Sequence, residues 1–196
     1  MASKLRAAIV SAAAAACCAS AAFADDLTGA YVGAGIGLGR VEAGTAGLAP
    51  TLGNFDQTHL AYHLDFGIRP ASSPLALELE YLDLGQPDFP SSPGLSGSVS
   101  QRGGGLFLLY YLPLPIVQVY AKAGGSRLTT HADFAYCNAS GSCALPSSGS
   151  TNNAFAFGAG VQWTLGNWAV RGEYERFNAG GGHPSALTVG VDWTFL

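Results

Sequence analysis

Eight times along this chain, apolar residues alternate one for one with small or polar ones, and that rhythm leaves few folds open. The last instance, Ala186-Leu-Thr-Val-Gly-Val-Asp-Trp-Thr-Phe-Leu196, is the plainest. Leu187, Val189, Val191, Trp193 and Phe195 form one row, and Thr188, Gly190, Asp192 and Thr194 form the other. Alternate side chains of a strand point to opposite faces. This segment therefore has one face suited to hydrocarbon and one suited to water. Such a strand, left open to solvent, invites aggregation. It needs lipid or a second sheet on its oily side and a partner strand along each edge.

The other seven segments follow in order. Gly29–Val41 sets Val32, Ala34, Ile36 and Leu38 against Tyr31 and a row of glycines. Thr58–Arg69 sets Leu60, Tyr62, Leu64, Phe66 and Ile68 against His59, Ala61, His63, Asp65 and Gly67. Leu75–Gly85 sets Leu75, Leu77, Leu79 and Tyr81 against Ala76, Glu78 and Glu80. Ser100–Leu112 is apolar on both faces and cannot be oriented by pattern. Val117–Leu128 opposes Val117, Val119, Ala121 and Ala123 to Gln118, Tyr120, Lys122 and Gly124. Asn153–Leu165 opposes Phe155, Phe157, Ala159, Val161, Trp163 and Leu165 to Ala156, Gly158, Gly160, Gln162 and Thr164. In Trp168–Phe177, Trp168, Val170, Gly172 and Tyr174 oppose Ala169, Arg171, Glu173 and Glu175.

The connections sort by length. Long polar ones span Glu42–Gln57, Gln86–Val99, Thr129–Asn152 and Asn178–Pro184; short ones lie at Pro70–Pro74, Pro113–Ile116 and Gly166–Asn167. Strands of about ten residues with long links at one end and tight turns at the other are the mark of an outer-membrane barrel. A soluble sandwich has no reason to sort its loops this way. The fold class expected is all-β, an eight-stranded antiparallel up-and-down transmembrane barrel. An even count lets the last strand pair with the first and removes both edges.

Composition agrees. Charged residues make up 11% of the chain, against roughly a quarter in an average soluble domain. The longest apolar candidate, Gly104–Val117, is broken by Pro113 and Pro115, and about 18 unbroken residues are needed for a spanning helix. Any crossing is therefore made with strands.

Met1–Ala24 has the form of a secretory signal peptide: Lys4 and Arg6, then apolar Ala7–Cys18, then a small-x-small site at Ala22-Phe-Ala24. A lipoprotein signal at Cys17 or Cys18 is disfavoured by Ala14 three residues before Cys17. The domain expected is Asp25–Leu196. It holds seven basic and thirteen acidic residues, a formal charge of −6, which does not suit nucleic acid. Cys137 and Cys143, with five residues between them in an exported polar segment, are expected to form a disulfide. No histidine or second cysteine pair stands at metal-ligand spacing beside them.

In a barrel of eight, the interior is just wide enough to be filled by side chains. The third and seventh long strands lie opposite each other and send Glu78, Glu80, Arg171, Glu173 and Glu175 inward. Lys122 and Gln162 approach from the fifth and sixth, while glycines on the first leave room. A central ion cluster is expected, blocking flow more than conducting it. Trp163, Trp168, Trp193 and Phe195 all fall near the short-turn end on the outer face, as a girdle at the membrane interface would.

Several pieces resemble the OmpA-type eight-stranded outer-membrane barrel family: Leu77-Glu-Leu-Glu-Tyr-Leu-Asp-Leu-Gly85, Tyr111-Leu-Pro-Leu-Pro115 with Val119-Tyr-Ala-Lys-Ala-Gly124, Gly172-Glu-Tyr-Glu-Arg-Phe177, and Val189-Gly-Val-Asp-Trp-Thr-Phe195. The resemblance covers essentially the whole exported chain. It implies a Gram-negative source and insertion by the outer-membrane assembly machinery, which reads the aromatic end of the last strand. Two departures stand out. Leu196 follows Phe195, where the family usually stops, and no peptidoglycan-binding domain is expected.

Other motifs are better read as structure. Gly33-Ala-Gly-Ile-Gly-Leu-Gly39 lacks the helix that a nucleotide loop requires, and its glycines fall at every second residue. Mixed acids and bases in a closed interior suit an ion-pair network better than catalytic acids. His183-Pro-Ser185 is similar to the His-x-Ser of lipid A deacylase barrels but lacks an orienting carboxylate in its Gly-rich segment. His59 and His63 fill an inner face rather than a metal site. Asn138-Ala-Ser140 is a glycosylation pattern with no meaning in a bacterium.

The expected protein is a monomeric outer-membrane barrel, not an enzyme and without cofactor or metal. Its expected role is envelope integrity or adhesion through the external loops. A narrow gated pore and a lipid A hydrolase are the alternatives. Expected partners are outer-membrane lipid and lipopolysaccharide, the assembly machinery and periplasmic chaperones.

Overall fold

The computed structural model describes residues 29–43, 55–70, 73–88, 95–114, 116–137, 143–144, 147–179 and 182–195. The expected signal peptide lies outside them. The strands are β1 (Ala30–Ala43), β2 (Phe55–Ile68), β3 (Leu75–Asp83), β4 (Leu95–Pro113), β5 (Gln118–Cys137), β6 (Cys143–Ala144), β7 (Ser147–Leu165), β8 (Trp168–Ala179) and β9 (Ser185–Phe195). Each long strand pairs antiparallel with its neighbours, and β1 also pairs with β9, so the eight long strands close on themselves. Two-residue β6 rides on the tip of β5.

Alternation fixes which way each strand faces. Outward rows such as Leu60, Leu64, Leu79, Leu187 and Val189 are exposed, while inward rows such as Glu78, Lys122, Arg171 and Thr188 are buried. An apolar exterior around a polar interior inverts the soluble pattern and matches a wall bathed in lipid. Pairing settles the orientation of β4. Phe107, Leu109 and Tyr111 are buried in the lumen; Leu106, Leu108, Tyr110 and Leu112 face out.

The strands run further than alternation indicates. β4 begins at Leu95, β2 at Phe55, β8 continues to Ala179, and most of the expected third loop is strand, with β5 reaching Cys137 and β7 resuming at Ser147. Beyond the apolar band both faces of a strand meet water, so the period-two signal fades. The antiparallel hydrogen-bond ladder does not depend on side-chain chemistry and carries on. β7 keeps pairing with β5 to Ser147 but with β8 only to Ala154. A β4–β5–β7 ledge therefore rises above the rest of the rim.

Three tight turns lie at the other end. Gly166 is the first of two residues joining β7 to β8 and has a φ of 62°, as two-residue hairpins with glycine first require. Glycines also let strands approach. A Cβ on Gly37 would run into the Leu187 carbonyl oxygen of β9.

Candidate functional site

Midway along the lumen, six of the eight wall strands contribute polar side chains to one buried layer. Its two cations are Lys122 from β5 and Arg171 from β8, 2% and 1% exposed. Lys122 Nζ donates to Glu78 Oε1 at 3.1 Å, to Glu173 Oε1 at 2.8 Å and to Glu80. An ammonium has three hydrogens. Glu175, also an ion-pair partner of Nζ, is left with its Oε1 outside any hydrogen bond.

Arg171 reaches across the barrel. Its Nη1 and Nη2 donate to the two oxygens of Glu78 on β3 at 2.7 and 2.8 Å, the forked pairing that guanidinium and carboxylate shapes favour. Nη2 also donates to Glu173 Oε2 at 2.7 Å, and Nε to the Tyr120 hydroxyl at 2.6 Å. Tyr31 on β1 donates to Glu78 Oε2 at 2.7 Å, and Tyr120 donates to Glu173. The Lys122 ammonium also sits 4.4 Å from the Phe107 ring of β4.

A second tier completes the layer. Asp65 on β2 and Asp192 on β9 flank Arg171 Nη1 at 3.8 and 3.6 Å, and His63 Nε2 lies 3.4 Å from Asp65 Oδ2. Gly33 makes this possible, because a Cβ there would collide with both Asp65 Oδ1 and Asp192 Oδ1. Both carboxylates stay beyond hydrogen-bond distance of Nη1, and neither Asp65 oxygen is hydrogen-bonded.

Apolar residues cover the layer on the long-connection side. Val41, Leu84, Val99, Leu128 and Phe177 are fully buried there. On the short-turn side the lumen opens into a cavity of about 170 Å³ lined by Tyr31, Arg69, Tyr111, Gln118, Gln162 and Asp192, among others. Arg69 Nη1 donates to Gln118 Oε1 at 2.7 Å.

Six of the seven expected lumen residues therefore meet. Gln162 does not: it lines the cavity beneath, with its Oε1 outside any hydrogen bond. Five members that pattern did not single out are Tyr31, His63, Asp65, Tyr120 and Asp192. Their inward parity was legible, but strand stagger decides which inward residues share a level.

Glu80, Glu173 and Glu175 each bring an oxygen within 4.8 Å of the others, and the Lys122 ammonium takes the central position a metal would need. His183 is exposed and is held through its backbone N, which donates to Glu42 Oε2 at 3.0 Å; its imidazole gains no orienting carboxylate from that bond. Trp168 stacks near Trp193 at 6.2 Å and Trp193 against Phe195 at 4.3 Å, all exposed at the short-turn end beside Trp163. Cys137 and Cys143 are directly opposed in the β5–β6 register.

Residues 9–195 match the family described as outer membrane protein beta-barrel domain. The chain belongs to that family. Its fold is shared by Ail, the attachment invasion locus protein of Yersinia pestis, solved with the heparin analogue sucrose octasulfate: 14% identity, 85% of this chain and 99% of that one, TM-score 0.55. Neisserial surface protein A gives 16% identity over 85% and 97%, TM-score 0.54. A major outer membrane protein of Thermus thermophilus gives 12% over 84% and 99%, TM-score 0.58. No curated protein matches by sequence. The protein is an outer-membrane β-barrel, and its raised β4–β5–β7 ledge stands at one rim.

Proposed function

We propose that this barrel serves the envelope from its surface: its lumen is closed by the ion layer, and its external rim carries envelope-stabilising or adhesive contacts. The observation that carries the reading is the bridge from Arg171 on β8 to Glu78 on β3, tied to Lys122 on β5 and covered by the apolar layer. An ion crossing here must break charge-assisted hydrogen bonds and pass an apolar constriction. That argues against steady conduction and leaves the rim as the working part.

The finer features belong to the same reading. Met1–Ala24 is cleaved on export, Cys137 and Cys143 are bridged, and the monomeric barrel sits in lipid and lipopolysaccharide after passing periplasmic chaperones and the assembly machinery. Trp163, Trp168, Trp193 and Phe195 anchor the periplasmic interface. Among the described residues His183 is held through its backbone N and has no carboxylate orienting its imidazole, which argues against a hydrolase mechanism. Attachment is the better-supported surface role because the β4–β5–β7 ledge presents ordered backbone above the rim.

Pure protein in planar bilayers is expected to give no steady current; sustained channels at neutral pH would establish the narrow pore instead. Cells lacking the gene are expected to attach less to surfaces and to keep their lipid A acylation unchanged. Deacylated lipid A that disappears with His183→Ala would establish the hydrolase.

A further inference from the structure

Nine basic residues occur in the chain, and after Lys4 and Arg6 seven remain. Lys122 and Arg171 hold the lumen and Arg69 lines the short-turn cavity. All four others, Arg40, Arg102, Arg127 and Arg176, face outward. They also share a level. Arg40 stands eight residues above Val32, Arg127 eight above Val119, Arg176 eight above Trp168 and Arg102 ten above Leu112. Strands tilted by about 40° rise about 2.6 Å per residue, so each arginine tops an apolar band of roughly 25 Å.

One of the four is ion-paired, and a second has an acidic residue opposite it in register. Arg40 pairs with Asp56 and Glu42, and Arg102 sits opposite Asp83 in the β3–β4 register. Among the described residues, no carboxylate lies within ion-pair distance of Arg102, Arg127 or Arg176, and Arg127 and Arg176 also have no acidic residue opposite them on β7. Both flank β7: Arg127 is opposite Asn153 and Arg176 opposite Phe157. Four residues along β7 and two strand spacings across it put their backbones roughly 16 Å apart. Between them Phe155 and Phe157 lie exposed, ring centroids 6.5 Å apart.

We infer that the β5–β7–β8 wall is a lipid site at which Arg127 and Arg176 each bind one phosphate of a bis-phosphorylated glycolipid of the outer leaflet, its acyl chains lying on Phe155 and Phe157. The inference rests on the outer-membrane reading. Guanidinium groups at headgroup level without carboxylates are matched by phosphates. The aromatic pair on the intervening strand gives the chains an apolar bed between the two guanidinium groups.

Native mass spectrometry of the detergent-folded protein titrated with purified bis-phosphorylated lipid A tests it. A one-to-one adduct is expected, weakened on the order of tenfold by Arg127→Gln or Arg176→Gln, the scale of one charge-assisted hydrogen bond. Arg40→Gln, whose parent already has carboxylate partners, is expected to bind as the wild type does. Equal binding by the Arg127→Gln/Arg176→Gln double variant, or of lipid A stripped of both phosphates, overturns the site. Binding of sucrose octasulfate in place of lipid A overturns it in favour of a soluble polyanion. Each variant is first checked for a heat-dependent gel shift: a wild type without the shift sinks the barrel reading, whereas shifted protein that ignores lipid A sinks this proposal alone.

Discussion

Arg171 joins β8 to β3 across the lumen, and of all the buried layer its removal should be felt most. Arg171→Leu leaves Glu78 and Glu173 buried without their main cation. Breaking a buried pair this way costs on the order of 3–5 kcal/mol, read as a lower urea midpoint for unfolding from detergent or vesicles. Replacing both ends by apolar groups should cost less, because no charge is then stranded. Glycine positions give an independent check on packing. Gly37→Ala drives a methyl against the Leu187 carbonyl, whereas a methyl on Gly125 meets nothing within 4 Å. The first should destabilise by about 1–3 kcal/mol, the usual range for overpacking, and the second should leave the midpoint near the wild-type value. Equal effects would mean that β1 and β9 do not approach so closely.

At the scale of elements, the testable piece is the tip of β5. Opposed residues in an antiparallel pair have Cα atoms about 4.5–5.5 Å apart, inside the 4.4–6.8 Å or so that a disulfide spans. Folded protein purified without reductant should therefore show no free thiol at Cys137 or Cys143 and two after reduction, with the gel shift of the barrel retained. Much of this level was legible in the sequence. Alternation gave every wall strand and nearly every facing, because lipid outside and charge inside enforce a strict period of two. Strand ends were not legible, since above the membrane both faces are polar and only backbone pairing continues. Orientation of β4 was hidden for the opposite reason: Phe107, Leu109 and Tyr111 are as apolar as the lipid-facing row. The meeting of Glu78, Lys122 and Arg171 was foreseeable from inward parity. The place of Gln162 one level lower was not, because stagger between strands sets height and leaves no trace in composition.

For the whole molecule, a closed wall and a tied interior should make unfolding slow and cooperative. Unboiled protein in mild detergent should migrate differently from boiled protein on a gel, and tryptophan emission should be quenched by lipid-borne quenchers near the bilayer interface, where Trp163, Trp168 and Trp193 are exposed. A periplasmic, water-soluble product with unquenched tryptophans would contradict the barrel's placement. The claim that the lumen is spanned wall to wall is tested most directly by a double-mutant cycle between Arg171 on β8 and Glu78 on β3, using Arg171→Leu, Glu78→Leu and the pair, in urea unfolding from vesicles. A coupling free energy of about 1–3 kcal/mol is expected for residues sharing one network. Single effects that add to within about 0.5 kcal/mol would show that the two strands are not joined through the lumen.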